Sequence, residues 1–78
     1  MQPLNLSHCH WIVRNPEIFG GKPIIKGTRL SASFILSCLA DGMNPEEIDK
    51  TYAPFPHEAI PEIMKLSAQL LDQPDVPA

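Results

Sequence analysis

The sequence predicts a mostly α fold: a short N-terminal β-hairpin followed by a three-helix bundle of helix-turn-helix outline. Three observations predict it. The β-prone, glycine-punctuated stretches all lie between Trp11 and Leu30. Beyond Leu30 the apolar residues recur at three- and four-residue spacing, the period of a helix with one buried face. Asp41-Gly42 and Ala53-Pro54-Phe55-Pro56 then cut that helical half into three lengths.

The elements follow in order. Residues 1–10 read as an irregular, solvent-exposed lead-in, since Pro3 and Asn5 discourage regular structure. Residues 11–72 read as a single domain. Trp11 to Val13 is apolar and β-prone, and Asn15-Pro16 punctuates it. Gly20-Gly21 is a second turn signal, and Pro23 stands at the start of the next strand. Ile24-Ile25, followed by Thr28 and Leu30, reads as a short strand pair or a strand hooked around Gly27. Glycines at such points suit backbone with positive φ. Ser31 or Ser33 can cap a first helix running to about Ala40, with Phe34, Ile35, Cys38 and Leu39 as its buried stripe. Gly42 takes the position just past its end, where left-handed backbone is wanted. In the second helix Asn44 is the N-cap, Pro45 the first residue, and Glu46 and Glu47 complement the positive helix end. Ile48 and Tyr52, four apart, are placed on its inner face. The third helix carries Ile60, Ile63, Met64, Ser67, Leu70 and Leu71 at helical spacing. Proline is harmless only in the first helical turn, so this helix must begin near His57 or Glu58 or be kinked at Pro61. The tail, residues 73–78, holds Pro74 and Pro77 and is expected to fray.

A chain of 78 residues is one domain, and at this size roughly 60% of the unfolded surface is buried, so a staple is expected. Two cysteines, Cys9 and Cys38, do not make a disulfide framework. The first apolar run is interrupted by His8, His10 and Arg14, unlike a secretory leader, and no stretch approaches the ~20 apolar residues of a membrane span. These points predict a cytoplasmic protein with reduced thiols, stapled by oligomerisation. The net charge is −3. Residues 1–40 set Arg14, Lys22, Lys26 and Arg29 against Glu17, whereas residues 41–78 set Lys50 and Lys65 against eight acids. An anionic partner would be steered to the first half, or the two halves would meet between subunits.

No catalytic constellation emerges. In an extended segment His8 and His10 would share a face, but a structural zinc site wants four ligands and neither Cys38 nor His57 has ligand spacing. Gly20-Gly21-Lys22 fails the phosphate-loop pattern, with Pro16 at its first glycine and Pro23 at its hydroxyl position. Neither a Ser/His/Asp nor a Cys/His arrangement can be argued from spacing. The chain is therefore expected to be a binding protein, not an enzyme, with no metal and no cofactor. Lys22, Lys26, Thr28 and Arg29 are the candidate nucleic-acid or partner-binding residues, because Lys and Arg reach phosphate oxygens and turn amides beside glycine add anion contacts. Gly20, Gly21, Pro23, Gly27 and Gly42 are the structural positions. The third helix would offer Glu58, Glu62, Lys65, Gln69 and Asp72 on its outer face, which phosphates would repel.

The run Ile12…Asn15-Pro16…Gly20-Gly21-Lys22-Pro23-Ile24-Ile25-Lys26-Gly27-Thr28-Arg29 closely resembles the signature of the bacterial family called domain of unknown function four-three-three. The likeness continues through Ile35-Leu36, Leu39-Ala40, Gly42, Pro45-Glu46-Glu47-Ile48 and Tyr52 to Ile60, covering roughly residues 12–66. It implies a homeodomain-like or winged-helix-like fold. Some members resemble VapB-type antitoxins paired with a PIN-type ribonuclease toxin, which implies a homodimer that binds operator DNA and occupies the toxin. Pro56 stands here where the family has Thr or Ser to cap the third helix. Two expectations result: an antitoxin-like DNA-binding homodimer with Lys22, Lys26 and Arg29 on phosphates, or a protein-interaction module that docks on a partner without DNA. A structural role for Arg29 is also open, anchoring the hairpin to Glu46 or Glu47.

Overall fold

The computed structural model describes residues 4–72; residues 1–3 of the expected lead-in and the expected tail, 73–78, lie outside the described residues. The element order is β1 (Ile12–Val13), a single 3₁₀ turn at Phe19–Gly21, β2 (Ile24–Ile25), α1 (Ala32–Ala40), α2 (Pro45–Thr51) and α3 (Ala59–Leu71). The predicted hairpin and three helices are therefore present.

The two strands pair antiparallel, Ile12 opposite Ile25 and Val13 opposite Ile24. Successive side chains on a strand face opposite ways, so Ile12 and Ile25 enter the core together while Val13 and Ile24 share the other face. The hook around Gly27 forms as expected. Thr28 clamps it: its N–H and its hydroxyl both donate to the Ile25 carbonyl, at 3.0 and 2.8 Å, and the same hydroxyl accepts the Leu30 N–H at 3.0 Å. The Ile25 N–H then donates to the Leu30 carbonyl at 2.9 Å, and Ile24 bridges to Ser31. Gly27 sits at φ 79°, where a β-carbon would be strained even with open space around it.

Ser31, not Ser33, caps α1, accepting the Phe34 N–H at 3.0 Å. The helix ends as Gly42 predicts, at φ 95°. The Gly42 N–H donates to the Leu39 carbonyl at 3.0 Å and the Met43 N–H to the Cys38 carbonyl at 3.1 Å, the paired bonds that close a helix C-terminus around a left-handed residue. α2 starts in a complete capping box: Asn44 Oδ1 accepts the Glu47 N–H at 2.9 Å, and Glu47 Oε1 accepts the Asn44 N–H at 3.0 Å. Ile48 is fully buried, but Tyr52 is corrected: it is the residue that ends α2, is 52% exposed, and lies edge-on against Phe34. The Tyr52 N–H still closes the last helical turn on the Ile48 carbonyl at 2.9 Å, but its ring lies on Phe34 at the surface rather than in the core.

Asp49 clasps the proline-rich linker. Its Oδ1 accepts the Phe55 N–H at 3.3 Å and its Oδ2 meets His57 Nε2 at 2.7 Å, which seats Phe55 in the core. α3 then begins beside Glu58, as the position of Pro61 requires. Pro61 is the third helical residue, where the missing amide costs no intrahelical bond. Glu58 makes no side-chain capping bond, in keeping with Pro56 in place of a capping hydroxyl.

The core gathers Ile12, Ile25, Ile35 and Ile48, with Phe55 and Ile63 beside them. Complete burial of such a side chain is worth about 1.5–3 kcal/mol. The α3 stripe is corrected in rotation: Ala59, Ile63 and Leu66 are its buried residues, whereas Met64, Leu70 and Leu71 are exposed at 53, 55 and 86%. The hydrophobic pattern on α3 is wider than the face the other elements cover, so periodicity alone could not select the buried third.

Candidate interaction surface

The lead-in is irregular over residues 4–10 but is not simply solvated. Leu6 and Cys9 pack against the core. Glu62, expected on the outer face of α3, turns to this segment instead: Oε2 accepts the His10 N–H at 2.9 Å and Oε1 the Trp11 N–H at 2.8 Å. Gln69 Oε1 also accepts the Asn5 N–H at 3.4 Å. The lead-in is thus strapped across α3. Beside it, burial pushes the Cys9 thiol pKa up, and the Glu62 charge adds to the effect. Cys9 and Cys38 are both free thiols.

The candidate cations are Lys22, Lys26 and Arg29, all exposed, and they do not converge. Lys22 borders an apolar groove between α1 and α3 with Leu36, Leu66 and Leu70. Lys26 stands opposite Trp11, its N–H donating to the Trp11 carbonyl at 2.7 Å. Thr28 spends its hydroxyl on the turn, so its role is to fix backbone. Arg29 is joined instead by Arg14, which sequence reasoning counted as charge without assigning to a site. The two arginines border one open hollow floored by Val13, Ile18 and Ile24. Their proximity depends on the β1–β2 pairing, which spacing along the chain does not reveal.

Arg29 also borders a second hollow, with Phe19, Leu30 and Phe34. Phe19 was missed as well. It holds φ 50° ahead of Gly20 at 64° and Gly21 at 86°, and it is 55% exposed. An aromatic residue placed directly before two glycines was the available signal.

The anchor from Arg29 to Glu46 or Glu47 is not formed. Among the described residues the only ion pair is His57 with Asp49, and Glu47 is committed to the Asn44 cap. The described residues hold no group of three metal-ligating side chains. None of the described helices is long and apolar enough to cross a membrane.

The fold and surface define a small hairpin-plus-three-helix domain with a basic, aromatic-edged end. The chain belongs to the family described as "Protein of unknown function (DUF433)", whose match covers residues 12–65. No curated protein and no solved structure matches the chain.

Proposed function

We propose that the chain is the antitoxin-like member of a type II pair, a binding protein without catalysis, that docks on a partner protein through its hairpin end. One observation carries this. Arg14 and Arg29 border one hollow, are exposed and lack acidic partners among the described residues, while α3 sets only Lys65 against Glu62 and is strapped by the lead-in. Arginine and exposed aromatic residues such as Phe are enriched at protein interfaces. The expected partner is a ribonuclease of the PIN type encoded next to this chain.

The second reading is a homodimer that binds operator DNA, favoured by the two arginines, Arg14 and Arg29, that border one hollow. Its contacts would be phosphate contacts made by the hairpin, because α3 has Lys65 as its one cation and acids at both ends, Glu58 and Asp72, which phosphates repel. It predicts salt-sensitive binding to DNA upstream of the gene.

Co-expression with the product of the adjacent gene separates the readings. The docking reading expects the two proteins to copurify and the Arg14→Glu/Arg29→Glu variant to lose the partner. Failure to copurify, together with a gel shift at low salt abolished by the same variant, would replace it with the DNA reading.

A further inference from the structure

Resting on the docking reading, we infer that Arg29 is the centre of a site for a partner segment that carries one acidic side chain between two apolar ones. Arg29 borders both surface hollows of the hairpin end. The first is mixed, with Val13 and Ile18 beside Arg14, Asn15 and Thr28; the second is mainly apolar, with Phe19, Leu30 and Phe34. Arg29 borders both, with Arg14 beside it at the first, and has no acidic partner among the described residues. The clamp at Thr28 fixes the turn that carries it, so the cation is presented from ordered backbone.

Phe19 adds an independent observation. Its left-handed backbone is unfavourable for an aromatic residue, yet the ring remains more than half exposed and gains little internal burial in return. This backbone conformation sets an aromatic ring at the rim of the second hollow.

The chemistry selects a protein segment over a nucleic acid. The Phe19, Leu30 and Phe34 lining of the second hollow, and Val13 and Ile18 at the first, reward apolar side chains, which a phosphate backbone does not offer. A guanidinium takes a carboxylate in a planar, two-bonded geometry. In an extended segment residues i, i+2 and i+4 share one face, so an apolar–x–acid–x–apolar pattern sets one carboxylate between two apolar side chains.

The test is an amide-shift titration of the ¹⁵N-labelled full chain with the capped peptide Gly-Leu-Ser-Glu-Ser-Phe-Gly. Shifts are expected within residues 13–34, centred on Gly27 to Leu30 and Phe19. Replacing the peptide glutamate by lysine should weaken binding at least about tenfold. Arg29→Glu should do the same and should restore binding of the lysine peptide. Equal binding of both peptides, shifts confined to the α1–α3 groove, or no shifts would overturn the site. So would a DNA duplex shifting these residues where the peptide does not. Self-association abolished by Arg29→Glu without peptide binding would make a second copy the occupant and also overturn it. Should the adjacent gene product still copurify with the Arg29→Glu chain, this site fails while the docking reading stands.

Discussion

Glu62 accepts the backbone N–H of Trp11 at 2.8 Å across 51 residues of chain, and with its other oxygen the N–H of His10. One carboxylate on α3 therefore fastens the entrance of β1. Both bonds are charge-assisted, the stronger kind. Glu62→Ala is expected to cost about 1–2 kcal/mol, a fall in Tm of about 5–15 °C for a domain of this size. Faster hydrogen exchange at the Trp11 and His10 amides would localise the loss, and Glu62→Gln, which keeps one acceptor, should recover part of it.

Cys9 should alkylate with a pH midpoint above that of the same thiol in denaturant, because burial and then the Glu62 charge raise its pKa and only the thiolate reacts. The sign for stability follows from linkage. A folded pKa above the unfolded one contributes stability below the unfolded pKa, and that contribution is lost as pH rises through the folded value. Glu62→Gln removes the coulombic part and should lower the midpoint of iodoacetamide modification.

The α2 capping box gives a local test. Asn44→Ala removes the acceptor for the Glu47 N–H and should cost about 1 kcal/mol, read as a lower midpoint in urea. Asn44→Asp keeps an acceptor there and should be nearly neutral.

Gly27→Ala should destabilise by roughly 1–2 kcal/mol. An added β-carbon meets nothing within 4 Å, so the whole cost is the backbone at φ 79°. Gly27→Asn, which tolerates left-handed backbone better, should lose less in the same thermal melt.

Arg29→Ala should leave Tm within about 2–4 °C of the parent chain, since exposed substitutions away from specific contacts fall within ±0.5 kcal/mol. A clear drop would reinstate an anchoring role for Arg29.

Elements whose cause lies within a few residues were legible from the amino acids alone. Asn44-Pro45-Glu46-Glu47 announces a helix start because cap, first residue and acids all act within one turn. Gly42 announces a stop because its backbone conformation belongs to that position, and the GGKPIIKGTR run marks the hairpin and the family. What depended on through-space pairing was decided only when the chain folded. Periodicity gave α3 a broad apolar surface, but packing chose Ala59, Ile63 and Leu66 to be buried and left Leu70 and Leu71 outside. Glu62 looked like a solvated acid until the lead-in brought two unpaired amides to it. Arg14 and Arg29, fifteen positions apart in the chain, share a hollow only because β1 pairs with β2. Local backbone preference is written residue by residue, whereas the partner of a side chain is settled by the packing of the whole chain.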